Sequence, residues 1–214
     1  MKLAIFDMDG TILDSMGLWL NAGELYLKTL EIPAEEDLGK KLFELNMEEG
    51  AAYMKEKYLL PFSVPEICEG INKVLSDAYK NSVELKSGAF EFLAMLKKKG
   101  IKTALCTNTS DMLFEKAFDR LKINELFDFK MYTGKFNFSK SKPDVFFYIA
   151  GLFNARPDET WVFEDALYAV KTAVNAGFKA AGIFDFSGSE CMEEMKQTCT
   201  KYFLNFCEAS DFFA

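Results

Sequence analysis

Acidic side chains stand at two points where the sequence predicts that a strand ends. Asp7 and Asp9 follow the apolar run near the start of the chain, and Glu164 and Asp165 follow the run from Thr160 to Phe163. Short apolar runs of this kind are typical of buried parallel strands. The carboxyl ends of such strands meet at one edge of an open sheet, so we expect the four carboxylates to converge. Because they would repel one another, they predict a cation that prefers oxygen ligands, and Mg²⁺ is the natural candidate.

We expect neutral and basic side chains at the same edge. Thr107 and Asn108 follow a third apolar run, from Ile101 to Cys106, and Lys140 precedes the Pro143-Asp144 pair. A hydroxyl and an amide can donate hydrogen bonds to a phosphoryl oxygen, and an ammonium can neutralise its charge. We therefore predict that Thr107, Asn108 and Lys140 bind phosphate.

Each of these signals also has an ordinary structural interpretation. The Asp-x-Asp-Gly-Thr segment that begins at Asp7 could be a turn, since Asp, Gly and Thr all favour turns. Thr107 and Asn108 could cap a helix, as could the acidic pair at Glu164. A lone Lys140 would ordinarily be solvated. The functional interpretation is favoured because all four signals occur in order, each near a predicted strand end.

Strands and helices alternate through most of the chain. The predicted strand from Ile101 to Cys106 follows a helix over 89–99, and a further predicted strand, Phe178 to Ile183, follows a helix that ends at Gly177. This alternation predicts an α/β fold with an open, mostly parallel sheet. Between about Ser15 and Val83 the pattern changes to amphipathic helices without a strand. We therefore expect a core of residues 1–14 and 85–214 and an inserted all-α domain of residues 15–84.

The composition limits the chemistry and the partners. The 214 residues carry a formal net charge of −8 and include no histidine, which excludes Ser-His and Cys-His nucleophiles and imidazole metal ligands. Nucleic-acid binding usually requires a clustered basic surface, so a small phosphorylated metabolite is the expected partner. No segment approaches the roughly 20 apolar residues of a membrane span. With five cysteines and no C-x-x-C pair, we expect a cytoplasmic protein without membrane contact, as a monomer or weak dimer.

The four motifs together resemble those of the haloacid dehalogenase superfamily over nearly the whole chain. The resemblance implies that Asp7 is the nucleophile and that Asp9 acts as general acid and then as general base. It implies that Asp7, Asp9, Glu164 and Asp165 surround the Mg²⁺ ion. It also implies a Rossmann-like core and an inserted helical cap of the family's first type.

The phosphate-binding residues implied by the resemblance are less uniquely defined. Thr107 matches the family's serine or threonine, and Lys140 matches its lysine, which often lies three residues before a Pro-Asp pair. Lys142 is a competing choice that spacing alone does not eliminate.

The resemblance implies a Mg²⁺-dependent phosphatase that hydrolyses a small phosphomonoester, such as a sugar phosphate, through an aspartyl-phosphate. One alternative is a mutase similar to β-phosphoglucomutase, although Trp19 stands where such mutases have a cap histidine. Phosphonate hydrolysis would need a Schiff-base lysine, for which Lys40 and Lys41 are available. A non-enzymatic binding protein on the same scaffold is the alternative from another class.

Overall fold

The computed structural model describes residues 1–43 and 45–214. Within these residues the strands are β1 (Leu3–Phe6), β2 (Leu13–Asp14), β3 (Glu84–Leu85), β4 (Lys102–Thr107), β5 (Phe129–Tyr132), β6 (Thr160–Glu164), β7 (Lys179–Ile183) and β8 (Lys201–Phe203). The α-helices are α1 (Met16–Thr29), α2 (Leu38–Phe43), α3 (Met47–Tyr58), α4 (Val64–Asn81), α5 (Ala89–Lys98), α6 (Asp111–Leu121), α7 (Asp144–Leu152), α8 (Leu167–Asn175), α9 (Met192–Thr198) and α10 (Phe206–Phe213). Short 3₁₀ helices span Asn124–Leu126, Thr133–Phe136, Pro157–Glu159 and Phe186–Cys191.

Six strands form one parallel sheet in the order β5-β4-β1-β6-β7-β8. The predicted α/β class and the parallel sheet are therefore confirmed. Strand β1 lies inside the sheet between β4 and β6, so the motifs that follow these three strands emerge side by side. Strand β5, which the sequence analysis did not predict, extends the sheet beyond β4.

The apolar character of β1 follows from its position, since both of its faces are covered. All four of its residues are fully buried. On one face Phe6 stacks on Phe163 of β6, with ring centroids 4.6 Å apart, and meets the edge of Phe92 from α5. On the other face Leu3 and Ile5 belong to a cluster that includes Ile149 of α7. Burying such side chains stabilises the sheet by about 1.5–3 kcal/mol each.

The contact pattern divides the chain into two compact units. One contains Met1–Asp14 and Val83–Ala214, and the other contains Ser15–Ser82. In the first unit a short antiparallel pair, β2 with β3, joins the two segments of chain. Lys86, just after β3, forms a buried ion pair with Asp185, with 2.8 Å between Nζ and Oδ2.

The second unit is helical, with α1 to α4 packed on one another. Helix α4 buries side chains on one stripe at four-residue spacing, from Ile67 and Ile71 to Leu75 and Tyr79. Its first turn is closed by a capping box between Ser63 and Glu66. None of the helices in residues 1–43 and 45–214 has the length and apolar composition that crossing a bilayer requires.

Candidate active site

Asp7 is fixed at the carboxyl end of the central strand. Its N–H donates to the carbonyl of Phe163 at 2.9 Å, which continues the β1–β6 ladder by one residue, and the side chain of Asp7 is nearly buried. The chain then turns sharply, because the carbonyl of Met8 accepts hydrogen bonds from Ile12 and Leu13. Gly10 takes a φ of +79° in this turn, a value that side chains disfavour. The turn therefore places Asp7 and Asp9 at the edge of the sheet.

The second acidic pair lies beside Asp7. Glu164 is the last residue of β6 and is 1% exposed, and its Oε2 accepts the N–H of Ala166 at 3.0 Å. Asp165 Oδ1 accepts a hydrogen bond from Thr11 Oγ1 at 3.0 Å. One carboxylate oxygen from each of Asp7, Glu164 and Asp165 lies within 4.8 Å of the others. The structure thus brings together three of the four carboxylates that the sequence analysis assigned to a metal.

Lys140 is buried against this acidic group. Its Nζ lies 2.7 Å from Glu164 Oε1 and also donates to Asp7 Oδ1, and the side chain is 3% exposed. Lys142 is exposed. Of the two lysines that spacing left open, the structure places Lys140 at the site.

Burial disfavours the charged forms of the carboxylates in this group. Burial raises the pKa of Glu164 to about 7, with the Asp7 charge adding to the effect against the opposing influence of Lys140. Burial, Asp7 and Glu164 also hold the pKa of Asp165 well above its usual range. For Lys140 burial acts in the opposite direction, but the two neighbouring carboxylates raise its pKa well above the ordinary value. Three carboxylates thus share one ammonium.

These residues fit a divalent cation that prefers oxygen. Asp7, Glu164 and Asp165 supply carboxylate oxygens close enough to share one ion, and the ion would replace the charge that the group lacks. Burial raises the pKa of the neighbouring Cys106 thiol to about 12. The chemistry of the donor set therefore matches the predicted Mg²⁺.

Asp9 lies outside this group of three. Its Oδ2 accepts a hydrogen bond from Thr109 Oγ1 at 2.6 Å, and it is only partly buried. Its backbone forms a bridge with Leu13 in the turn that follows β1. The carboxylate is therefore bound to the loop that follows β4.

The predicted hydroxyl and amide groups lie at the carboxyl end of β4, where Thr107 ends the strand and Asn108 begins the loop. Thr107 is buried, and its Oγ1 accepts the N–H of Thr109 at 3.0 Å, so the hydroxyl hydrogen can be donated to another group. Asn108 is exposed, but both the oxygen and the nitrogen of its side-chain amide form hydrogen bonds. Its Oδ1 accepts from Thr133 Oγ1 at 2.7 Å, and its Nδ2 donates to the Tyr168 hydroxyl at 3.3 Å.

Sequence reasoning missed four residues that support the site. Thr11 donates a hydrogen bond to Asp165, and Thr109 donates one to Asp9. Thr133 and Tyr168 both form hydrogen bonds with Asn108. Thr11 belongs to the first motif and Thr109 follows the Thr107-Asn108 pair, so their places in the motifs were a usable signal. Thr133 follows the edge strand β5, which was not predicted.

The helical unit contains the residues on which the mutase and phosphonatase alternatives depend. Trp19 Nε1 donates to the Tyr79 hydroxyl at 2.9 Å. Lys40 is paired with Asp37 and is largely exposed, and Lys41 is paired with Glu35. The two lysines are thus solvated ion-pair partners, unlike the desolvated lysine that Schiff-base chemistry requires.

Most of the chain is similar to known hydrolases. Residues 4–183 match the family model described as haloacid dehalogenase-like hydrolase. The phosphorylated carbohydrates phosphatase of Thermotoga maritima is 25% identical over 179 residues, which cover 84% of this chain and 83% of that protein. A protein of Saccharomyces cerevisiae named "probable pseudouridine-5'-phosphatase" is 30% identical over 192 residues, covering 80% and 78%.

A solved structure extends the comparison to the fold. YfnB from Bacillus subtilis, whose structure is bound to magnesium, superimposes with a TM-score of 0.78 at 17% identity. The match covers 99% of this chain and 97% of that one. At this identity the match shows a shared fold.

Proposed function

This chain belongs to the haloacid dehalogenase-like hydrolase family, and we propose that it is a Mg²⁺-dependent phosphatase that forms an aspartyl-phosphate on Asp7. The observation that carries the proposal is the position of the Asp7 carboxylate. It lies at the end of the central strand, hydrogen-bonded to Lys140 and grouped with Glu164 and Asp165. A nucleophilic carboxylate needs this combination of a fixed position and nearby positive charge, because its target is an anion.

In the first step Asp7 attacks the phosphorus atom. Asp9 donates a proton to the leaving oxygen, so that the alcohol departs as a neutral molecule. Lys140 and the hydroxyl of Thr107 stabilise the charge on the phosphoryl oxygens, together with backbone N–H groups near Met8. Asp7, Glu164 and Asp165 would hold the Mg²⁺ ion, which when bound supplies further charge neutralisation.

In the second step water hydrolyses the aspartyl-phosphate. Asp9, now ionised, takes a proton from the attacking water, and phosphate leaves with Asp7 restored. One carboxylate thus acts as acid and base in turn, which suits a site without histidine.

The names of two relatives support a proposal for the substrate class. By their names, one acts on phosphorylated carbohydrates and the other on pseudouridine 5'-phosphate, and both of these substrates are phosphate esters that contain a sugar. We extend this class to the present chain and propose a sugar phosphate or a similar small metabolite.

Trp19 supports hydrolysis over the mutase alternative. The resemblance places it where mutases have a histidine, and its indole N–H donates to Tyr79. An indole is a donor only and cannot shuttle protons near neutral pH. The proton transfers of a mutase would therefore lack their cap residue.

The test is release of inorganic phosphate from a panel of sugar, nucleotide and short-chain phosphomonoesters, with and without Mg²⁺. The variant Asp7→Asn removes the nucleophile at nearly constant volume. The matched control is Asp211→Asn, which changes an exposed aspartate on α10. We expect Mg²⁺-dependent turnover that is lost in Asp7→Asn and retained in Asp211→Asn. Absence of turnover on every ester would contradict the proposal.

A further inference from the structure

Tyr168 lies at the edge of the sheet where the candidate active site is formed. It belongs to the first turn of α8, shortly after Asp165, and 48% of the residue is exposed. Its hydroxyl accepts a hydrogen bond from Asn108 Nδ2 at 3.3 Å, and the Asn108 oxygen accepts one from Thr133 Oγ1 at 2.7 Å. The tip of the tyrosine side chain is therefore held, while part of its ring stays open to solvent.

The hydrogen bond between Tyr168 and Asn108 crosses the end of the central strand. Tyr168 follows β6 and Asn108 follows β4, and β1 lies between these two strands in the sheet. Neighbouring strands are about 4.8 Å apart, so the bond joins elements whose strands are about 10 Å apart. Asp7 stands at the end of β1, within the interval that the two side chains span.

Tyr168 and the Asp7 carboxylate also lie on the same face of the sheet. Side chains alternate between the two faces of a strand, so Asp7 continues the face that carries Leu3 and Ile5. These two residues belong to one buried cluster with Ala173 of α8, which places α8 on that face. Tyr168 is in the first turn of α8, so its ring lies on the side of the carboxylate that we propose as the nucleophile.

The charges of the site act on the Tyr168 hydroxyl. Burial raises the pKa of Tyr168, and the charge of Glu164 raises it further. Lys140 and the hydrogen bond from Asn108 act in the opposite direction, and Asp7 has a smaller raising effect. Because Coulomb energies fall with distance, this influence agrees with the position that the sheet gives the hydroxyl, close to the acidic group.

We propose that the ring of Tyr168 forms one wall of the substrate pocket and determines specificity by contacting the sugar of the phosphate ester. An aromatic ring presents an apolar face, which matches the C–H groups of a sugar ring. The hydrogen bond to Asn108 holds the ring before the substrate binds, so little conformational freedom is lost on contact. This inference deepens the proposed function and rests on it, since the ester must reach Asp7 for the contact to form.

A role limited to the hydroxyl predicts a different result. If Tyr168 only held the Asn108 amide, Tyr168→Phe and Tyr168→Leu would be equivalent, since both remove the hydroxyl. Any loss that the two variants share therefore belongs to the hydroxyl. If the ring contacts the sugar, Tyr168→Leu should show a further loss, confined to esters that are large enough to reach the ring.

The experiment measures kcat/KM for two esters in wild type, Tyr168→Phe and Tyr168→Leu. One is a hexose phosphate esterified at its primary hydroxyl, and the other is ethyl phosphate, whose alkyl group is too short to reach the ring. Both leaving groups are primary alcohols, so both need similar help from the general acid. The matched control is Tyr148→Leu, which removes a partly exposed tyrosine ring on α7 that contacts Phe138.

The quantity compared is the ratio of kcat/KM for the hexose phosphate to kcat/KM for ethyl phosphate. We expect Tyr168→Leu to lower this ratio about tenfold, as is typical when an apolar contact in a pocket is lost. Tyr168→Phe and Tyr148→Leu should keep the wild-type ratio. Because both esters are assayed in one preparation, the ratio does not depend on how much of the variant is folded.

Equal ratios in Tyr168→Leu and Tyr168→Phe would overturn the inference while leaving the phosphatase intact. The same conclusion would follow if the wild type did not favour the hexose phosphate over ethyl phosphate, or if Tyr148→Leu lowered the ratio as much as Tyr168→Leu. A wild type inactive on every ester of the panel would instead overturn the proposed function, and the inference with it.

Discussion

Lys140 and Glu164 form a buried ion pair in which Nζ and Oε1 are 2.7 Å apart and both side chains are almost fully excluded from solvent. The same Nζ contacts Asp7, so one ammonium balances the carboxylates that follow β1 and β6. Removing one partner of a buried pair leaves an uncompensated charge, which costs more than the pair itself contributes. Lys140 therefore has two roles in this account, one in stability and one in the charge of the site.

Replacing Lys140 with alanine should impair both roles. We predict that Lys140→Ala lowers phosphatase kcat at least a hundredfold and lowers the free energy of unfolding of the metal-free protein by about 3 kcal/mol, as expected for breaking a buried pair. Lys142→Ala is the matched control, because Lys142 is exposed two residues away. Phosphate release and urea unfolding measure the two effects. Equal activities in the two variants would show that Lys140 is dispensable.

The raised pKa of Glu164 predicts how stability depends on pH. Between its ordinary value of 4.5 and the folded value of about 7, the folded protein holds a proton that the unfolded chain has released. The contribution of this proton to the free energy of unfolding is therefore full below pH 4.5, and it is lost as the pH rises through about 7. We predict that the free energy of unfolding of the metal-free protein falls across this interval.

The variant Glu164→Gln isolates this effect, since an amide does not titrate. Urea unfolding at a series of pH values, with a chelator present, should give a shallower fall in the variant than in wild type. Mg²⁺ should flatten the wild-type curve, because a cation binds the ionised carboxylates and stabilises the folded state. If the free energy of unfolding fell equally steeply with pH in the variant and in wild type, the pH dependence would not come from Glu164.

The two hydrogen bonds that hold the Asn108 amide predict an effect on binding. Tyr168→Phe removes the hydroxyl that accepts from Nδ2, and Thr133→Val removes the hydroxyl that donates to Oδ1. If Asn108 binds phosphate, each change should raise KM and the inhibition constant of inorganic phosphate about threefold to tenfold, since each lost bond contributes about 1 kcal/mol.

Tyr148→Phe serves as the control for this prediction, because Tyr148 is an exposed tyrosine on α7. It should leave both constants unchanged. If Tyr168→Phe and Thr133→Val also left phosphate inhibition at the wild-type value, Asn108 would have no part in phosphate binding.

The sequence predicted those parts of the molecule whose burial pattern is simple. Strand β1 is covered on both faces, so its apolar run identified it, and Asp7 was located from the point where that run ends. Strand β5 was missed because it lies at the edge of the sheet and is mostly half-buried, with Lys130 in its middle. Missing β5 also meant missing Thr133, which follows it and bonds to Asn108.

Contacts between side chains were beyond what spacing could predict. The sequence favours Lys140 without eliminating Lys142, and the path of the chain before α7 decides which one is buried. The bond between Thr109 and Asp9 joins two loops from neighbouring strands, so it depends on the order of strands in the sheet. Motifs located the strand ends, while the sheet determined which residues meet there.

The most direct test of the central claim is chemical trapping of the intermediate on Asp7. The protein is mixed with Mg²⁺ and a phosphomonoester that it hydrolyses, quenched during turnover and treated with borohydride, which reduces an aspartyl-phosphate to homoserine. Peptide mass spectrometry then identifies the modified position. We predict homoserine at position 7, dependent on substrate and absent from Asp7→Asn. Turnover without homoserine, or with homoserine at Asp9 or another aspartate, would contradict nucleophilic attack by Asp7.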